Sequence, residues 1–204
     1  MQRCGAGSLG WTITFMRTFV FVACLGLLAG PSYPQVAATR HNFEFGAAGI
    51  FPVNGYQTAS YSAGPGWRAG YELRIFKHLG AEGGFTAGWP VGTDTCNRFG
   101  CVYSRQTLKL LDYGLRGVVP LAAGRVELSI GLGGGYVWHQ YGYSGTFGTN
   151  QALFQYSGKA AFALDRQRRV RLSFTVRTWR DLGRLTQQWV SATGGVIVGL
   201  GNLP

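Results

Sequence analysis

The residues of this chain that could do chemistry are chiefly charged side chains within segments that alternate between polar and apolar residues. Carboxylates and basic groups gathered on one side of such segments can form ion pairs, line a watery passage, or act as general acids and bases. Both signs occur on neighbouring segments, which favours pairing, because an unpaired buried charge is costly. The ten residues are Glu44, Arg68, Glu72, Arg74, Glu82, Arg116, Glu127, Lys159, Arg171 and Arg177.

Catalysis through a nucleophile requires a base within hydrogen-bond reach of it. The chain has three histidines, His41, His78 and His139, and Tyr141 and Ser144 follow the last of them. Their spacing matches no His–Ser–Glu signature of a hydrolase. The 33 glycines do not indicate nucleotide binding, because no Gly-rich loop precedes a helix. We therefore expect no enzymatic activity and no cofactor.

Cys96 and Cys101 lie close together in a stretch of loop-like composition. In an oxidising compartment such a pair is expected to form a disulfide that closes a short loop. A metal site would need further ligands, and no nearby histidine supplies them. The sequence therefore predicts a disulfide at Cys96 and Cys101 and no metal site.

The N-terminal 38 residues have the features of a signal peptide. Arg17 is the positive flank, and the apolar stretch Phe19–Ala29 is too short to cross a bilayer. Met16 could be the true start, since a complete signal follows it. A membrane anchor and a lipoprotein attached through Cys24 are the alternatives. We predict a signal peptide over 1–38 and one domain over 39–204.

The composition is unusual for a protein surrounded by water. Charged residues make up 13% of the chain, where about 25% is typical of a soluble domain, and aromatic residues make up 14%. The predicted mature part loses Arg3 and Arg17, which leaves 17 basic against 8 acidic residues, a net charge of +9. Its sequence has no run of 18 apolar residues, which argues against a helical membrane protein. A closed barrel of strands is the other way to satisfy backbone groups in lipid.

The dominant pattern is alternation with a period of two residues, interrupted by turn residues. Within 67–75, 126–132 and 170–176 one face is apolar and the other is polar or glycine. This pattern predicts an all-β fold, an antiparallel up-and-down transmembrane β-barrel of about eight strands. The predicted strands are 41–51, 64–76, 79–90, 104–119, 124–140, 150–164, 168–180 and 187–200.

The predicted connections alternate between short and long, as in barrels that cross an outer membrane, where short turns face the periplasm. Both chain ends then lie on the short-turn side. Several aromatic residues are predicted near the opposite ends of their strands, where Trp and Tyr suit a membrane–water interface. This predicted aromatic girdle consists of Trp67, Trp89, Tyr136, Trp138 and Tyr156.

Three stretches carry a family resemblance. They are Gly66–Arg74, Leu111–Gly117 and the closing stretch Gly195–Leu200. The pattern resembles the small outer-membrane β-barrels typified by OmpA transmembrane domains and opacity-type surface proteins, although the chain lacks that family's terminal aromatic residue. The resemblance implies export to the outer membrane of a Gram-negative cell and specifies architecture better than activity.

The sequence favours a non-enzymatic outer-membrane barrel with a structural or surface-interaction role and a lumen plugged by ion pairs. An eight-stranded barrel is just wide enough for side chains to fill it. The alternatives are a narrow passive pore for small solutes and a soluble, lipocalin-like ligand-binding barrel. The hypothesis of a pore rests on glycines that could leave room for water in the lumen: Gly70, Gly84, Gly131, Gly133 and Gly135.

The expected partners are membrane lipids rather than nucleic acid, with extracellular ligands able to meet the long loops, and we expect a monomer. Basic residues near an anionic surface each contribute about 1 kcal/mol of attraction. One basic cluster, Arg166, Arg168 and Arg169, belongs to a predicted periplasmic turn, where phospholipid headgroups would lie. A second set is predicted near the outer rim, where lipopolysaccharide phosphates would lie: Arg98, Arg105, Arg180 and Arg184.

Overall fold

The structure is a computed structural model that describes most of the chain beyond residue 38. The described residues are 39–53, 62–90, 95–97, 100–102, 106–141, 150–181 and 188–202. The predicted signal peptide over 1–38 lies outside these residues and stays a prediction.

Strands dominate the described part of the chain. Their bounds in chain order are β1 Thr39–Pro52, β2 Gly64–Phe76, β3 Leu79–Gly88, β4 Thr95–Asn97, β5 Gly100–Val102, β6 Gln106–Leu121, β7 Val126–Tyr141, β8 Asn150–Ala163, β9 Val170–Asp181 and β10 Gln188–Asn202. A short 3₁₀ turn, Ala122–Gly124, joins β6 to β7. No helix among the described residues is long and apolar enough to cross a membrane.

Eight of the strands form one closed barrel. Each pairs antiparallel with its two neighbours in the order β1-β10-β9-β8-β7-β6-β3-β2, and pairing of β1 with β10 closes the wall. The predicted eight-stranded antiparallel barrel is therefore confirmed. The strands β4 and β5 pair with each other outside this wall. Their three residues each are too short for a periodic pattern, and the sequence predicted only a loop there.

The predicted boundaries hold to within a few residues, and the largest revision is in β6. This strand runs two residues past the predicted end, through Pro120 and Leu121. Pairing with β3 ends at Gly117, and beyond it the backbone N–H of Val118 donates to the carbonyl of His78 at 2.9 Å. Pro120 is tolerated because no strand on that side requires its missing N–H.

The wall has an apolar outer face and a filled inner face, since successive side chains of a strand point to opposite sides. Outward side chains such as Phe45, Leu132 and Phe174 are more than half exposed, at 65%, 56% and 54%. Inward side chains such as Arg116 and Arg177 are fully buried. A soluble barrel would show the reverse arrangement.

The two ends of the barrel differ. At one end, called here the short-turn end, β2 meets β3, β6 meets β7 and β8 meets β9 through two to six residues, and β1 begins and β10 ends there. The other end carries the connections between β1 and β2, β3 and β6, β7 and β8, and β9 and β10, which have 6 to 17 residues. We call it the long-connection end.

Candidate functional site

The interior of the barrel holds the candidate site. All ten charged residues predicted to face the lumen are inward-facing in the structure, and each forms at least one ion pair. Nine of them are buried, and Glu127, near the short-turn end, is partly buried. The structure therefore brings the whole predicted set together.

The pair nearest the long-connection end joins Arg68 of β2 to Asp112 of β6. Arg68 Nη1 lies 2.5 Å from Asp112 Oδ2, and Nη2 lies 2.8 Å from Oδ1, a two-bond geometry of the strongest kind. Arg68 Nη1 also donates to Thr86 Oγ1 at 2.9 Å. Both strands neighbour β3, so the side chains meet above Gly84 of that strand.

Glu82 is the centre of the next group. Its Oε2 accepts from Arg116 Nε at 2.8 Å, from Arg116 Nη2, and from Arg177 Nη2 at 3.1 Å. Arg116 also donates to Ser129 Oγ at 2.9 Å and to Ser157 Oγ at 3.1 Å. One carboxylate thus holds two arginines that come from β6 and β9.

Lys159 of β8 and Glu44 of β1 form a third pair, with Nζ and Oε2 2.7 Å apart. The hydroxyls of Ser173 and Thr175 donate to Glu44 Oε1 at 3.0 and 3.2 Å. Lys159 Nζ also lies 3.9 Å from Glu72 Oε2. Both carboxylate oxygens of Glu44 therefore have a partner, which offsets the cost of burying the carboxylate.

Glu127 and its two arginines lie at the short-turn end of the lumen. Glu127 Oε2 accepts from Arg171 Nη1 at 2.5 Å and from Arg74 Nη2 at 3.2 Å. Arg74 Nε donates to Glu72 Oε1 at 3.0 Å, which links this pair to the centre. Arg171 Nη2 also donates to Asn42 Oδ1 at 2.5 Å. The ion pairs thus form one network along the barrel.

Asp112 is the charged member of the network that sequence reasoning missed. It lies four residues before Arg116 in β6, so both share the inward face of the strand. The alternation alone could have identified it. Uncharged partners were not named as site residues, although they follow the same alternation: Asn42, Thr86, Ser129, Gln155, Ser157, Ser173 and Thr175.

Toward the long-connection end the inner face becomes apolar. The sequence predicted a polar or glycine inner face along each strand, and this is wrong for the last few inward positions. The two tryptophans are fully or almost fully buried there, because so narrow an interior is filled by side chains of either kind. This apolar layer consists of Ile50, Leu108, Leu110, Val137, Leu153, Trp179 and Trp189.

The lumen glycines make room for side chains rather than for a water path. A Cβ at Gly84 would lie 2.6 Å from Arg68 Cζ, and a Cβ at Gly131 would lie 2.7 Å from Glu82 Oε1. At Gly133 and Gly135 the nearest atoms are the backbone of β6. A cavity of about 10 Å³ beside Glu44, which is about the room for one water, lies within the network. These contacts leave little free space at four of the five glycines that the pore hypothesis invoked, whereas a Cβ at Gly70 would make only ordinary contacts of 3.6 Å and beyond.

The five aromatic residues of the predicted girdle are exposed or partly exposed at the outer face. Trp67 and Trp138 lie a few residues from the long-connection ends of β2 and β7, as does Tyr136, and Trp89 directly follows β3. Tyr156 is the seventh residue of the fourteen in β8, so it lies halfway along the wall. The sequence-based assignment of Tyr156 to the girdle is therefore wrong, although the predicted strand 150–164 begins at the observed first residue of β8.

The histidines and cysteines form no catalytic group within the part that the structure describes. His41 Nδ1 lies 2.7 Å from Tyr71 Oη at the outer face, and His78 Nδ1 lies 3.0 Å from the carbonyl oxygen of Val118. The side chain of His139 lies outside the described residues. Cys96 and Cys101 stand opposite each other in the register of β4 and β5, and their disulfide stays a prediction. The described residues contain no cluster of metal ligands.

Comparison with known proteins gives matches to solved structures alone. No protein-family model matches the chain, and no curated protein sequence does. Neisserial surface protein A matches at 11% identity with a TM-score of 0.62, over 79% of this chain and 98% of that one. OprG from Pseudomonas aeruginosa matches at 8% identity with a TM-score of 0.55, over 81% and 95%.

Ail, the attachment invasion locus protein of Yersinia pestis, crystallised with the heparin analogue sucrose octasulfate, matches at 12% identity. Its TM-score is 0.54, over 78% of this chain and 96% of that one. At such low identity these matches establish the fold alone. The chain has the fold of the small outer-membrane β-barrel proteins.

Proposed function

We propose that the protein is a non-enzymatic, monomeric barrel of a Gram-negative outer membrane, with a structural or surface-interaction role and a lumen that conducts no solute. The observation that supports this proposal is the contrast between an apolar outer wall and an interior that contains paired charges. An apolar exterior suits lipid, and a paired interior makes burial of charge tolerable.

Two layers in series support a closed lumen. The ion-paired network fills the barrel from Glu127 to the pair of Arg68 and Asp112. The apolar layer around Trp179 then covers it toward the long-connection end. A solute would have to separate buried ion pairs and cross an apolar constriction, and each alone opposes the passage of ions.

Interaction at the cell surface would use the long-connection end. Exposed, outward-facing Lys109 and Arg180 lie near that end of β6 and β9, where they could meet lipopolysaccharide phosphates. The complex of Ail with a heparin analogue gives a precedent for anionic ligands on this fold. Extracellular ligands would therefore meet the connections between the strands at this end.

Cell fractionation with gel analysis tests the location and the fold together. The protein should be recovered in the outer-membrane fraction, and the unheated barrel should migrate differently from the heated one. Leu132→Arg, which puts a charge on the outer face at the middle of β7, should destabilise the inserted barrel by about 2–4 kcal/mol. Leu132→Met is the matched control. Recovery as a soluble periplasmic protein would contradict the proposal and favour a soluble ligand-binding barrel.

A further inference from the structure

Two neighbouring turns at the short-turn end carry a dense cluster of basic residues. Arg166, Arg168 and Arg169 belong to the turn between β8 and β9, and Arg125 ends the turn between β6 and β7. A Cβ at Gly124 would lie 3.2 Å from Arg168 Cζ, so the Arg168 side chain lies over the neighbouring turn. Arg125, Arg166 and Arg169 are exposed. We call these four residues the arginine cluster.

The one carboxylate in these turns, Asp165, is engaged by the backbone. Asp165 Oδ1 accepts the backbone N–H of Val170 at 2.9 Å, and this bond lowers the pKa of the carboxyl group. The backbone N–H of Arg168 donates to the Asp165 carbonyl at 3.2 Å, and that of Ala163 donates to the Arg125 carbonyl at 2.8 Å. None of these hydrogen bonds in the turns uses a guanidinium group.

Two small outward-facing residues of β8 leave a shallow apolar groove on the outer wall, and Phe162 lies between this groove and the cluster. Its floor is Gly158 and Ala160, whose side chains are the smallest available. Ala160 stands between Leu128 and Phe174 in the register, and Gly158 stands between Ile130 and Val176. Because these larger neighbours face outward on both sides, they form the walls of the groove.

Exposed apolar residues lie between the groove and the turn. Phe162 pairs with Leu172, and Leu164 follows at the start of the turn; they are 47%, 47% and 59% exposed. The arginine cluster therefore lies directly beside a surface that is suited to hydrocarbon. Nucleic acid or an acidic protein would use the charge and leave this surface unmatched.

We propose that the arginine cluster binds the phosphate of an anionic phospholipid in the periplasmic leaflet, with one acyl chain lying in the groove over Gly158 and Ala160. The inference rests on the proposed outer-membrane location. Arginine suits phosphate because its planar fork donates two parallel hydrogen bonds. Elsewhere at this end, Arg40 and Lys77 are single exposed charges without such a groove described beside them.

Competition between lipids in nanodiscs tests this site. The wild-type barrel is placed in equal amounts of phosphatidylglycerol and phosphatidylcholine and extracted in mild detergent, and native mass spectrometry counts the retained lipids. Phosphatidylglycerol should be enriched on the wild type. In the double variant Arg166→Gln/Arg169→Gln, the enrichment of phosphatidylglycerol should fall about fivefold for each arginine removed. Arg40→Gln/Lys77→Gln removes the same charge from the same end but outside the cluster, and should retain the enrichment.

The acyl-chain half of the site is tested by Ala160→Phe, which fills the groove without changing charge and should also reduce the enrichment. Lack of preference in the wild type, or equal loss in the Arg40/Lys77 control, would overturn the inference. So would stronger retention of lipid A than of phosphatidylglycerol through the same arginines. Heat-modifiable migration is scored on the same samples. A correctly folded barrel without lipid preference would contradict the proposed lipid site and leave the proposed function intact.

Discussion

Arg68 and Asp112 face each other across β3 and form two parallel hydrogen bonds, of 2.5 and 2.8 Å, inside the barrel. Asp112 Oδ1 also lies 3.7 Å from Arg177 Nε. This carboxylate therefore compensates two buried guanidinium groups from opposite parts of the wall. The network depends on such long-range pairs, and their removal should affect stability far more than changes at the surface.

Asp112→Asn should lower the free energy of unfolding by about 3–5 kcal/mol, because it leaves Arg68 buried without its anion. Urea titration in lipid vesicles measures the effect. The double variant Arg68→Met/Asp112→Leu should be less destabilised than Asp112→Asn, since it removes both charges together. A double variant that is destabilised at least as much as Asp112→Asn would argue against pairing as the cause.

Gly84→Ala should destabilise the barrel by about 1–3 kcal/mol, since the new methyl group would lie 2.6 Å from Arg68 Cζ. Gly70→Ala is the matched control. Its Cβ would meet Arg68 Nε at 3.6 Å, an ordinary contact, so its unfolding free energy should change by less than about 1 kcal/mol. The same urea titration compares them, and equal effects would show that Arg68 does not occupy the space at Gly84.

Trp179 should be shielded from both water and lipid. A variant that retains Trp179 as its sole tryptophan should resist iodide in the aqueous phase and brominated acyl chains in the bilayer, because the side chain is fully buried inside the barrel. A variant that retains only outward-facing Trp67, which packs beside Phe45 and Phe85, should be quenched by the brominated chains. Efficient iodide quenching of Trp179 would indicate a watery lumen.

Asp165 should make the turn between β8 and β9 sensitive to acid. Its pKa is lowered by the hydrogen bond from the Val170 N–H, so its stabilising contribution is complete above the unfolded pKa and is lost as pH falls through the folded one. Asp165→Asn should therefore be less stable than the wild type at neutral pH, with the difference vanishing in acid. Urea titrations across that pH range compare the two proteins, and a constant difference would contradict this role.

The strand count, the antiparallel order and the two faces of the wall could be predicted from the sequence. Alternation with a period of two assigns each side chain to a face, and the connection lengths order the strands. The partners across the lumen could not be predicted, because the pairing of Arg68 with Asp112 depends on the tilt and register of three strands. A face assignment alone does not tell which charges will meet.

The apolar layer escaped prediction for a related reason. Trp179 follows Arg177 on the inward face of β9, and Trp189 precedes Ser191 on the inward face of β10. The inner face therefore changes from polar to apolar along a single strand. Composition cannot distinguish a tryptophan that faces lipid from one that fills a lumen. The glycines were misread likewise, since the space beside Gly84 is used by an arginine from the neighbouring strand.

Conductance across a planar bilayer tests the central claim of a closed lumen most directly. The same preparation must first show heat-modifiable migration, so that only folded barrels are inserted. The filled network and the apolar layer predict that the bilayer current stays at its baseline after insertion. A steady conductance that increases with the amount of inserted protein would contradict a closed lumen and identify the barrel as a pore.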